Sequence, residues 1–246
     1  MRRGVTPTAA LPTPAFHPLS TSHLAVLSLT ALLALLMVWM RRRDMSSIVW
    51  LERMLLGALL LQWPAAVYAH QVLGDFSKQN ALPIHLCDVA AFAGITALVT
   101  RSRLAAEICY FFGLTGTLQG LFTPALREDF PHARFVAFFL GHSAVVITAV
   151  YVVAGLRLTP GRHAPRRMLG WLLLYAGVIG GINALIGTNY GFLCQKAPSP
   201  SLMDVLGPWP LYIGSLVGVA AVVFTLLDLP FIRRRSMDLS LPRQSD

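Results

Sequence analysis

Long apolar runs, broken by short clusters of arginine and proline, dominate this chain. A helix that crosses a membrane needs about 20 mostly apolar residues. Seven segments meet that length: about 23–40, 48–70, 82–100, 104–123, 134–155, 168–187 and 209–229. The first is the shortest and the second the most polar. Short loops join them, as expected of neighbouring antiparallel helices. The pattern predicts an all-α membrane protein, a bundle of seven transmembrane helices within residues 23–232. Residues 1–22, rich in Pro and Thr, read as a disordered N-terminal tail before a retained first helix, because no small-residue cleavage pattern follows the first apolar run. Residues 233–246 read as a basic, polar C-terminal tail.

Composition agrees with that pattern. The 246 residues are 55% hydrophobic and 13% charged, against about 25% charged in soluble domains. The net charge of +9 would suggest nucleic acid in a soluble protein, but the arginines gather at segment ends, where the membrane accounts for them. No nucleic-acid motif is present, and the expected partners are membrane lipids. Thirteen of the twenty Lys and Arg residues fall on one side of the predicted bundle and six on the other. The positive-inside rule then places the N-terminus outside and the C-terminus in the cytoplasm. Stripes of small residues mark faces where helices approach closely. They run through Cys87, Ala90, Ala91, Gly94 and Ala97, then Cys109, Gly113, Gly116 and Gly120. Two more run through Gly177, Gly180, Gly181 and Ala184, and through Gly214, Gly218 and Ala221.

Ionisable groups inside an apolar segment are costly and commonly face the bundle interior for a purpose. His142 is the clearest, eight residues beyond Arg134 and so about 12 Å along its helix. On the same side lie His85, Cys87 and Asp88 at the start of the third segment, Gln62 in the second, Gln119 near the end of the fourth, and Asn183 near the end of the sixth. The loop from Thr188, with Asn189 and Tyr190, covers this side. Glu52, Arg53, Glu107 and Asp228 sit at the other ends of their helices and read as anchors. Pro83 suits a first helical position, which would put Cys87 near the positive end of a helix dipole, where a thiolate is favoured. A cysteine and a histidine form a minimal nucleophile–base pair. Asp88 or an amide would orient the imidazole, and Gln119, Asn183 or N–H groups would hold an oxyanion. Packing is the competing account of the cysteines, and hydrogen bonding that of the histidines. Three cysteines without CxxC spacing give no disulfide framework, so three free thiols are expected. The donor set lacks the carboxylate or histidine pairs of a metal site, and no cofactor is called for.

The stretches LPIHLCDVAAF (82–92), GLTGTLQGLFTPAL (113–126), FVAFFLGHSAVVITAVYVV (135–153) and INALIGTNYGFLCQKAPSPSLMDVLGPWPLYI (182–213) resemble the YwaF-like bacterial integral membrane proteins, which belong with the transmembrane protein 164 family. The resemblance covers about 45–230. It implies a seven-helix protein of a bacterial plasma membrane and an acyltransferase that remodels phospholipid acyl chains through a cysteine thioester. On that basis Cys87 is the nucleophile and His142 its histidine partner. His85, Asp88, Gln119, Asn183, Asn189 and Tyr190, from their placement on the same side, are the candidates for binding or orienting substrate. A small-solute transporter and a seven-helix sensor without catalytic activity are the alternatives.

Overall fold

The computed structural model describes residues 14–198 and 201–240, with side chains to 232 in the last helix. Among the described residues it is all-helical apart from one isolated β-bridge. The helices are α1 (Thr21–Arg42), α2 (Ile48–Val72), α3 (Leu86–Thr100), α4 (Arg103–Phe112), α5 (Leu118–Phe122), α6 (Ala133–Val150), α7 (Ala164–Ile186) and α8 (Leu211–Ser240). A π-helical turn, Gly113–Thr117, joins α4 to α5, and another, Tyr151–Gly155, continues α6. Five of these rods are long and apolar enough to cross a membrane: α1, α2, α6 with its π turn, α7 and α8. Helix α3 is apolar but has only 15 residues.

Local chemistry sets the helix ends. Ser20 caps α1, its hydroxyl accepting from the His23 N–H at 3.4 Å, and Arg41 and Arg42 close the helix where its dipole is negative. Ser102 caps α4 through the Ala105 N–H. Helix α7 opens with Pro165 in its first turn and stops at Gly187, whose φ of 65° places it in the left-handed region that glycine tolerates.

Helix α6 is the centre of the bundle. It packs against α1, α2, α3 and α4, and 67% of its most apolar stretch is buried, against 11% for α7. The outer rods keep their apolar faces exposed, as lipid-facing helices do. Close approach uses small residues where α3, α4 and α6 meet. A Cβ on Gly94 would lie 3.0 Å from Thr148 Cγ2 and 3.2 Å from Cys109 Sγ, and one on Gly113 would lie 3.1 Å from Ala149. The stripes expected on α7 and α8 are different. A Cβ on Gly177, Gly180, Gly181, Gly214 or Gly218 would meet nothing within 4 Å. These glycines face away from the rest of the chain, which corrects their expected role in packing within the bundle.

The arginine-rich end is closed by paired charges. Glu107, 1% exposed, accepts from the Gly161 N–H at 2.8 Å and from Arg167. Glu52 pairs with Arg101 at 3.0 Å and accepts from the Tyr151 hydroxyl. At the opposite end, residues before α1 form a strap. Ala15 bridges Glu128, the Phe16 N–H donates to Arg127 O at 2.8 Å, and the Phe16 ring packs on Phe135 and Phe139. Residues 14–22 thus pack against the bundle; 1–13 lie outside the described residues. The backbone of α8 likewise runs to Ser240, so the expected tail 233–246 starts as helix, and 241–246 lie outside the described residues.

Candidate functional site

Helix α3 is short, at about 22 Å for 15 residues, while a bilayer core is about 30 Å thick. The segment 82–85 before it is non-helical backbone. Backbone polar groups outside a helix need other partners, and distant side chains supply them here. The Leu82 N–H donates to Tyr190 Oη at 3.0 Å, and Ile84 O accepts from Tyr175 Oη at 3.1 Å. The His85 N–H donates to Asp88 Oδ2 at 2.9 Å. His85 is thus the N-cap of α3 and Cys87 its second residue. Pro83 precedes the cap instead of opening the helix as expected, because Asp88 fixes the helix start at Leu86. Cys87 still lies in the first turn, its sulfur beside the N–H groups of Cys87 and Asp88.

A cavity of about 770 Å³ opens beside this turn. His85, Cys87, Asp88, Gln119 and His142 all line it, together with Gln62, Thr115, Arg134 and Tyr175. Its other walls are mostly apolar and include Leu172, Ala176, Leu216, Val217, Ala220 and Phe224 from α7 and α8. The π turn Gly113–Thr117 forms one side, with a Cβ on Gly116 only 2.9 Å from Leu86. That contact sets the turn against the start of α3. Such π turns recur at functional sites.

His142 is oriented by its own helix. Its Nδ1 lies 2.9 Å from Phe138 O. A carbonyl oxygen only accepts, so Nδ1 carries the proton and Nε2 keeps its lone pair. The ring also stacks on Phe138, with centroids 3.9 Å apart. Nε2 lies over Gly120, where a Cβ would stand 3.2 Å away. A backbone carbonyl one turn earlier thus does the orienting that was expected of Asp88 or an amide; Asp88 is occupied with the α3 cap. The Cys87 thiol and the His142 ring are not hydrogen-bonded to each other in this structure, and such pairs often tighten only around substrate.

Three expected site residues do not line the cavity. Asn183 is 2% exposed and fully engaged: Oδ1 accepts from the Thr188 hydroxyl and the Tyr190 N–H, and Nδ2 donates to Tyr190 O. Asn189 holds the following turn through the N–H groups of Cys194 and Gln195. Tyr190 is buried and ties Lys78 and Leu82 to the loop. All three build the cover over the start of α3. Gln119 lines the cavity, its amide donating to Thr123 Oγ1 at 2.9 Å.

Sequence reasoning passed over Tyr175 and Gly191, and read Gly120 only as part of a packing stripe. Tyr175 sits in an uninterrupted apolar run and carries no local signal. Gly191, at φ 66°, has the Tyr175 hydroxyl 2.7 Å from where its Cβ would be, so only glycine fits. His23 was passed over too. It is fully buried, with Nδ1 accepting from the Leu19 N–H at 3.0 Å and Nε2 2.7 Å from Leu121 O. Both nitrogens are used, so this histidine is structural.

At the rim, Asp75 holds Arg134 and His70 together. Mild desolvation pushes its carboxyl up, but the His70 hydrogen bond and the Arg134 charge outweigh it and hold it below the usual carboxylate range. All three cysteines are free: Cys87 half-buried, Cys109 buried against Gly94, Cys194 exposed. No group of three or more His, Cys, Asp or Glu among the described residues is placed to hold a metal ion.

Comparison with known proteins gives the lineage. The family model described as TMEM164 family matches residues 18–228. A protein of Treponema pallidum (strain Nichols), described as uncharacterized, is 28% identical over 165 residues. That alignment takes in 65% of this chain and 66% of the Treponema protein. No solved structure matches.

Proposed function

The chain belongs to the TMEM164 family of multi-pass membrane proteins, and on that premise we propose that it is a cysteine-dependent phospholipid acyltransferase. The observation that carries this is one cavity lined by both a first-turn cysteine and a histidine with a free Nε2. The thiol proton passes to His142 Nε2. The thiolate attacks an ester carbonyl of a phospholipid, the ester C–O bond breaks, and the imidazolium returns its proton to the departing lysolipid oxygen. A second lysolipid hydroxyl reverses these steps on the thioester. The apolar wall from α7 and α8 suits a fatty acyl chain, which a water-filled transport path would not need.

With this reading goes the complete topology: seven crossings in a bacterial plasma membrane, α4–α5 counted as one, and the Cys87 end facing outward. Helices α4 and α5 with the π turn between them span 20 residues, 103–122, long enough at about 30 Å.

The test uses purified protein in vesicles of phospholipid with radiolabelled acyl chains. Wild type should hold a label that hydroxylamine releases. Cys87→Ala should hold none, and His142→Ala should acquire it about 10²- to 10⁴-fold more slowly. A label that survives Cys87→Ala would end the proposal.

A further inference from the structure

Three of the histidines near this end of the bundle, His23, His85 and His142, divide by their hydrogen bonds. His23 spends both ring nitrogens on backbone. His142 and His85 each spend one, and in opposite senses. His142 Nδ1 faces a carbonyl, so it donates and leaves Nε2 as a bare acceptor. His85 Nδ1 faces the Gly191 N–H at 3.3 Å. A backbone amide only donates, so this nitrogen is the bare one and the ring proton sits on Nε2. Packing holds the His85 ring in place: its centroid lies 5.1 Å from that of Tyr190 and 5.9 Å from that of Phe192. His85 lines the cavity, and among the described residues its Nε2 has no hydrogen-bond partner. One cavity therefore holds a fixed acceptor and a fixed donor.

We infer that His85 is a further catalytic residue, whose Nε2–H donates to the oxygen of the ester carbonyl that Cys87 attacks. This rests on the acyl-transfer reading above. As the Cys87 sulfur bonds to the carbonyl carbon, the carbonyl π pair moves onto oxygen. The His85 N–H holds that charge without giving up its proton. When the tetrahedral adduct collapses, the pair returns to carbon, the C–O bond to the lysolipid breaks, and the leaving oxygen takes its proton from His142. A neutral donor suits this chamber, because a cation there would have to be desolvated while an oriented N–H is already in place when charge develops. His85 lies two residues before Cys87, across the cap of α3, so the nucleophile and the donor move as one unit. Gly191 makes the arrangement possible: its free N–H sets the tautomer, and its missing Cβ leaves room for Tyr175.

Two near-isosteres separate the roles of the ring. His85→Asn keeps an acceptor where Nδ1 was and loses the donor. His85→Gln keeps a donor near the Nε2 position and loses the acceptor. The readouts are the single-turnover rate of the hydroxylamine-labile adduct at Cys87 from labelled phospholipid vesicles, and the rate at which iodoacetamide alkylates Cys87. Asparagine should slow adduct formation about 10²- to 10³-fold and leave alkylation, which develops no oxyanion, near the wild-type rate. Glutamine should recover at least tenfold of the loss. A His85→Asn protein that forms adduct as fast as wild type overturns this inference alone. So does a loss in which alkylation falls in parallel, since that marks a disturbed cysteine. A wild type that forms no adduct overturns the acyl-transfer reading and this inference with it.

Discussion

A histidine's chemistry here follows from what its second nitrogen touches. In three of the rings near one end of the bundle, backbone partners occupy both nitrogens of His23, leave Nε2 of His142 as an acceptor and leave Nε2 of His85 as a donor. Access to His142, the proposed base, depends on a missing side chain. A Cβ at position 120 would lie 3.0 Å from His142 Cδ2 and 3.2 Å from Nε2, and the branches of valine would stand between the ring and the cavity. Gly120→Val should therefore lower the rate of adduct formation about 10²-fold, approaching the effect of losing the base. Thermal unfolding of the variant should remain cooperative, because the ring borders open space. Wild-type adduct formation in this variant would show that Nε2 is approached from another side.

The elements place these groups through two departures from regular helix. The shortness of α3 leaves 82–85 as irregular backbone, which Tyr175, Tyr190 and Gly191 then satisfy. The π turn after α4 turns Thr115 and Gly116 towards Leu86 and the cavity. The strap before α1 is a third local device. Asp129 fastens it by accepting from the Ser20 and Ser22 hydroxyls and the Phe130 N–H. Desolvation pushes that carboxyl up, but these hydrogen bonds and the nearby His17 charge outweigh it, so it is held below the usual carboxylate range. A depressed carboxylate stabilises the fold above the unfolded pKa, about 3.9, and loses that contribution as pH falls through its lower folded value. Amide exchange at Phe16 and Asp129, whose N–H groups pair the strap, should thus show constant protection from pH 7 to about 5. Relative to the α6 amides, protection should drop below about pH 4. Unchanged relative protection in Asp129→Asn at neutral pH would remove the carboxylate from this role.

Across the whole molecule, α6 is the buried axis and the remaining long rods expose apolar faces to lipid. The proposed orientation puts the exposed Cys194 outside the cell, while Cys109 is buried. In a Cys87→Ala, Cys109→Ala protein, a membrane-impermeant maleimide should label Cys194 in intact cells as fully as after permeabilisation. Labelling that requires permeabilisation would reverse the topology.

Much of this architecture was legible along the chain. The apolar runs follow from the cost of leaving backbone polar groups unpaired in lipid, and that constraint acts on consecutive residues. That Cys87 and His142 stand on one side of the bundle was legible for a related reason: a reactive or ionisable group stands out against an apolar background. The duties of Asn183, Asn189 and Tyr190, the donor form of His85 and the need for glycine at 191 were not legible. Each depends on a partner supplied by a distant segment, such as the Gly191 N–H for His85 or the Leu19 N–H and Leu121 O for His23. Local spacing tells which residues share a helix face; which nitrogen of an imidazole remains free is settled only when the chain has brought its hydrogen-bonding partners together.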